Sequence, residues 1–191
     1  MLIILIVNSG CPKPCIEANY SFAVTAQFTP DLDSVKVGDT IYLISTFPTA
    51  LKDIPSGNMI KYKNSAEIGS NLFVYKINNS VFPGIDAVDK FDYVSILGLV
   101  YNDANAPSPN HVQQLRYQFG QDSFHLKIGL VTKDTGVYEL AIVNGLGVTK
   151  DKGCEKAAFN ITLANTNQHI NYFLSPISPY ELPRVYFFKV Y

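Results

Sequence analysis

The 191-residue chain has no Trp, three His and three Cys, and charged residues make up 16% of it, against about 25% in an average soluble protein. The shortage of Glu, Lys and Arg excludes a long coiled coil. A net charge of −1 argues against a nucleic-acid binder, which needs a basic field to replace phosphate counterions. The sequence has no His-x3-His or His-Glu-x2-His spacing and no Gly-x-Ser-x-Gly elbow, so it offers neither a zinc hydrolase motif nor the turn that exposes a serine nucleophile. The opening apolar run Leu2–Val7 is six residues long, too short for the ~20 that a spanning helix requires. Hydrophobic residues nevertheless make up 47%, with 12 Tyr and 12 Phe. That content is far too high for an intrinsically disordered chain.

What is present is period-two alternation. In Tyr20–Phe28, Tyr20, Phe22, Val24 and Ala26 share one face. Ser34–Phe47 alternates around Gly38-Asp39, a turn or bulge signal. Asn71–Ile77, Leu115–Phe119, Phe124–Val131, Val137–Val143, Ala157–Leu163 and Val185–Tyr191 read as further strands, and the nearly continuous apolar run Tyr93–Tyr101 reads as a central one. Turn signals such as Pro55-Ser56-Gly57-Asn58 and Asp134-Thr135-Gly136 separate them. The best helix candidates, the Ala66-Glu67 region and Ile85–Lys90, are both short. About nine short strands with turns at this spacing predict an all-β sandwich or barrel. Pro107–Asn110 is the one plausible internal boundary and is read as a long loop within a single domain.

Asp134-Thr135-Gly136-Val137-Tyr138-Glu139-Leu140 resembles the Asp-x-Gly-x-Tyr-x-Cys segment of immunoglobulin-like domains. The resemblance implies an antiparallel immunoglobulin-like β-sandwich in which Tyr138 forms a structural tyrosine corner. Ser123–Val131 would then correspond to strand E, Val137–Val143 to strand F and Ala157–Leu163 to strand G. Leu140 replaces the inter-sheet Cys of that pattern.

The apolar Leu2–Val7 run followed by Ser9-Gly10-Cys11 resembles the lipobox of bacterial lipoproteins, with Asn8 where that family usually has Leu. The implied organisation is a signal segment at 1–10, a tether at 11–19 and a sandwich domain at 20–191, with lipidation at Cys11. An N-terminal strand of the folded domain, or a start lying further upstream, are the other readings of the same run. With Cys11 acylated, Cys15 and Cys154 remain either as a disulfide or as two free thiols. The chain as a whole looks like small uncharacterised lipoproteins of Bacteroidetes, through the short signal, the early Cys and Val37-Gly38-Asp39-Thr40-Ile41. The resemblance implies a membrane partner through the lipid anchor and a place in the bacterial cell envelope, at the outer membrane surface or in the periplasm.

Chemistry-bearing residues are sparse. His125 alternates to the face opposite Phe124, Leu126 and Ile128, while His111 and His169 fall in polar loops. Asp31, Asp33 and Asp39, and Asp86, Asp89 and Asp92, are two carboxylate clusters that match neither the EF-hand spacing nor a calcium-repeat motif, so they read as turn caps and solubilising groups, with Ca²⁺ as the lesser alternative. Gly145-x-Gly147 lacks the third glycine of a nucleotide cradle and reads as a hairpin loop. Tyr62, Tyr75, Tyr101 and Tyr172 would serve as sugar platforms if they face outward. Val185–Tyr191 reads as a docked strand. No catalytic, cofactor or metal site emerges. The function expected is a non-enzymatic binding, adhesion or structural module for a protein or glycan ligand; the alternatives are an accessory carbohydrate-binding lipoprotein and, more distantly, a hydrolase.

Overall fold

The computed structural model describes residues 20–62, 65–78, 81–102, 111–149, 156–165 and 184–191. Cys11, Cys15, Cys154, His169, Tyr172 and the Pro107–Asn110 stretch lie outside them. The described elements are β1 (Tyr20–Thr29), β2 (Ser34–Val35), β3 (Thr40–Pro48), β4 (Ala50–Lys52), β5 (Met59–Lys61), β6 (Ser65–Asn78), β7 (Val81–Asp86), a 3-10 turn at Val88–Lys90, β8 (Phe91–Leu97), β9 (Leu99–Tyr101), β10 (Gln113–Arg116), β11 (Gln118–Gly120), β12 (Ser123–Thr132), β13 (Gly136–Ile142), β14 (Gly145–Thr149), β15 (Lys156–Leu163) and β16 (Val185–Val190).

They form an all-β sandwich. In the first sheet β6 lies between β13 and β14 on one edge and β7 and β10 on the other. Beyond β13 come β16 and β2, and beyond β14 come β15 and the first half of β1. The second sheet runs from the last residues of β1 through β3 and β12 to β8 and β11. Most ladders are antiparallel; β1 with β15 and β16 with β2 are parallel.

The two sheets are joined at both margins by strands that change sheet, the corner device of crossed β-packings. At one margin β1 pairs with β15 from Tyr20 to Ala26 and then with β3 from Gln27 to Thr29. At the other, β8 passes into β9 at Gly98 and β10 passes into β11 at Tyr117. Gly98 has φ +84°, and a Cβ there would sit 2.5 Å from the Arg116 carbonyl oxygen and 2.9 Å from Leu126 Cδ1. Only glycine accepts both the backbone angle and the close approach.

This corner explains one misread element. The apolar run Tyr93–Tyr101 predicts a central strand, but β8 is a margin strand hydrogen-bonded only to β12 among the described residues. Val94, Ile96, Leu97 and Leu99 are exposed. The change of sheet at Gly98, with a bulge at Lys127/Ile128 opposite, breaks the alternation and makes an exposed strand look like a buried one. Leu115–Phe119 is likewise split, by Tyr117. The Ala66-Glu67 region is strand β6 rather than helix, and Gly145-x-Gly147 lies in strand β14 rather than in a loop. Beside β13 lies β16, while β15, expected as strand G, pairs with β14 and β1.

The core is built from rings contributed by both sheets. Phe159 on β15 stands 5.4 Å from Phe22 and 5.4 Å from Phe47, which leads on to Phe124 at 5.5 Å. A second cluster links Phe28, Tyr186, Phe188, Tyr138 and Phe91. The fully buried Tyr138 donates its hydroxyl hydrogen bond to the Asp134 carbonyl at 3.0 Å. Burial, with a smaller push from the Asp134 and Asp89 carboxylates, moves its phenol up to about 12. Lys76 pairs with the Asp134 carboxylate at 2.8 Å across the same turn. Tyr138→Phe keeps the ring and loses one neutral hydrogen bond, so a urea unfolding series should show a loss of about 1 kcal/mol.

Candidate binding face and crossover cleft

The outer face of the second sheet is assembled from alternate residues of four strands. Gln27 and Thr29 come from β1, Thr40, Tyr42, Ile44 and Thr46 from β3, His125, Lys127, Gly129 and Val131 from β12, and Asp92 and Val94 from β8. Register places Gly129 between Tyr42 and Val94, and Lys127 beside Ile44. Gly129 is buried because neighbouring side chains close over it: a Cβ there would meet Thr40 Cγ2 at 3.1 Å and Tyr42 Cε1 at 3.4 Å. The Lys127 ammonium stands 5.1 Å from the Tyr42 ring centroid. Asp92 is paired with Lys133 at 2.8 Å. The result is a face of hydroxyls and aliphatic groups with little unpaired charge, continuous with the exposed apolar margin Val94, Ile96, Leu97 and Leu99.

His125 belongs to this face, as its alternation predicts, but it is tied down. Its Nε2 lies 3.1 Å from the Gly120 carbonyl and its Nδ1 3.4 Å from Thr46 Oγ1. His111 contacts Asp86 instead.

Next to this face, the crossing of β1 opens a cleft. The β1–β3 ladder covers only Gln27–Ile44 to Thr29–Tyr42, so β1 and β3 diverge beyond it. The gap encloses about 230 Å³ and is lined by Thr25, Ala26, Gln27, Ile44, Ser45, Thr46 and Ala164. Ser45 spans its floor, donating to the Thr25 carbonyl at 2.7 Å. On the other side of β1, Asn165 takes over where the β15 ladder ends. Its Oδ1 accepts from the Phe28 amide at 3.1 Å and its Nδ2 donates to the Phe28 carbonyl at 2.6 Å, imitating one more strand residue. Asn165→Ala leaves both Phe28 groups without that partner; thermal unfolding should shift by the equivalent of about 1–3 kcal/mol.

The far end of the gap is closed by the β4–β5 hairpin, which meets β1 through an isolated bridge between Phe22 and Asp53. Asp53 is 3% exposed. Its carboxylate accepts from the Ser56 hydroxyl, the Ser21 amide at 2.9 Å and the Ser56 amide at 3.1 Å. These bonds, the Ser56 hydroxyl foremost, hold its carboxyl below the ordinary 3.8 against a smaller opposing effect of burial. A carboxyl depressed in the folded state stabilises above its unfolded value, and that stabilisation is lost as pH falls through the folded one. The hairpin should therefore loosen below about pH 3.8, seen as shifts of the Ile54 and Ile60 methyl resonances, and Asp53→Asn should remove the pH dependence.

Of the expected tyrosine platforms, Tyr62 is buried in the core against Phe22 and Phe159. Tyr75 stacks on Phe73, and Tyr101 lies under the Arg116 guanidinium at 4.7 Å. Of the carboxylates in the two acidic clusters, Asp39 accepts from the Lys36 amide, Asp86 contacts His111 and Asp89 pairs with Lys90. Among the described residues, no three His, Cys, Asp or Glu side chains gather as a metal site.

Neither a protein-family model nor a curated protein matches the chain. Among solved structures, a human F-spondin reeler domain superposes with a TM-score of 0.41 at 10% identity, over 92% of this chain and 93% of that one. A cohesin module from a Clostridium perfringens ATCC13124 family 33 glycoside hydrolase gives 0.33 at 13% identity, over 73% and 98%. The second type II cohesin module of the ScaA scaffoldin of Acetivibrio cellulolyticus gives 0.33 at 11%, over 76% and 81%. The class of this protein, an all-β sandwich module, is defined by its own ladders.

Proposed function

We propose that this chain is a non-enzymatic binding module of the bacterial cell envelope, held to the membrane by acylation at Cys11, and that it recognises its ligand through the outer face of the second sheet. The observation that carries the binding reading is that face. It joins Tyr42, Ile44, Val131 and Val94 with threonines and continues into an exposed apolar margin at Ile96, Leu97 and Leu99. Exposed apolar surface of this kind, rimmed by polar groups, marks sites of association. The envelope reading rests on Leu2–Val7 and Ser9-Gly10-Cys11.

Two measurements test it. Intact mass of protein from the membrane fraction should show a chain beginning at an acylated Cys11; cytosolic protein retaining Met1 overturns the anchor. Surface-captured wild-type module should bind solubilised envelope components. Ile44→Asp and Val94→Asp should lower that binding about tenfold or more, while Leu146→Asp, exposed on the other sheet, should not. Equal binding by all three variants overturns the face.

A further inference from the structure

We infer that the crossover cleft between β1 and β3 is a subsite for one residue of a neutral saccharide, which gives the proposed binding face a ligand class and rests on that reading.

Its size sets the first limit. A volume of about 230 Å³ lies below the roughly 300–1,000 Å³ of drug-sized sites. It suits one compact ring.

Its shape sets the second. The cleft is shut at one end by the Gln27–Ile44 pair and at the other by the Phe22–Asp53 bridge. An extended peptide added along the β3 edge would need to run through one of these closures. A compact ligand needs neither.

The chemistry of the lining sets the third. Thr25, Gln27 and Thr46 are exposed polar residues, the Thr46 hydroxyl lying 3.4 Å from His125 Nδ1, while the half-buried Ile44 and the exposed Ala164 supply apolar surface. No lining residue is charged, so a phosphate, carboxylate or ammonium would find no counter-charge for its desolvation. Hydroxyls and an amide both donate and accept, as do the hydroxyls of a sugar.

The test is an NMR titration of the full chain, produced without acylation, with glucose, galactose, mannose and N-acetylglucosamine. Glucuronic acid and glucosamine serve as charged comparators. At least one neutral sugar should give saturable shifts centred on the Thr25, Gln27 and Thr46 amides, with a millimolar dissociation constant and about tenfold preference over both charged sugars. Thr46→Val, which keeps the β-branched shape, and Gln27→Ala should each weaken binding about tenfold. No saturable shift with any neutral sugar up to about 50 mM, shifts mapping elsewhere, or affinity unmoved by both variants overturns the inference. Leu146→Asp, exposed on the other sheet, should leave the sugar titration unchanged. Failure of the sugars with envelope capture intact therefore removes the saccharide alone, whereas loss of face-dependent capture removes the wider reading.

Discussion

Phe159→Ala should cost about 3–5 kcal/mol, enough to remove a large part of the roughly 5–15 kcal/mol by which a domain is folded. Phe159 is fully buried and packs against Phe22 on the crossing strand, Phe47 on the opposite sheet and Tyr62 beyond the β4–β5 hairpin. Removing its ring leaves a cavity bounded by two sheets that their strand crossings hold in place, so it can close only partly. Urea unfolding should show a much lower midpoint at an unchanged slope. A loss below about 1 kcal/mol would mean that the ring cluster is not a shared joint between the sheets. Phe159→Leu, which keeps much of the volume, should recover more than half of the loss.

Gly98→Val should be nearly as damaging, for a different reason. Strain at φ +84° costs about 1–3 kcal/mol, and overpacking against the Arg116 carbonyl and Leu126 adds a similar amount. A total of about 2–6 kcal/mol follows from the two together. Gly38→Val separates the two terms. Gly38 has φ +92° with nothing within 4 Å of an added Cβ, so only the backbone term applies and its loss should stay near the lower figure. Equal losses at the two positions would mean that the Gly98 corner is not tightly packed.

The sandwich was legible where one face is dry and the other wet. In β1 the burial pattern alternates from Phe22 to Phe28, as the spacing of the apolar residues predicts. The run Val185–Tyr191 predicts a docked strand; Val185–Val190 forms β16 on β13, with β2 beside its last two residues, and Tyr191 is exposed. Legibility failed at the margins. The same density of Val, Ile and Leu in Val94–Leu99 arises from exposed positions beside a change of sheet, and periodicity has no means of telling the two apart. The cleft was hidden for another reason. Its members come from β1, β3 and the end of β15, and the groups that shape it, Asn165 on Phe28 and Asp53 on Ser21, reach partners 137 and 32 residues away. Gly98, whose punctuation of an apolar run is visible in the chain, was the one available signal that Tyr93–Tyr101 is not a single strand.

Because β1 runs alongside β15 in the same direction through seven successive pairs from Tyr20 to Ala26, tension applied at Tyr20 along the strand axis acts on all of those rungs together. Peeling an antiparallel hairpin loads one rung at a time. A body tethered through residues preceding Tyr20 would thus meet drag on its outer face with a joint loaded in shear, and single-molecule extension from that end should give a higher rupture force than pulling across the β8 margin.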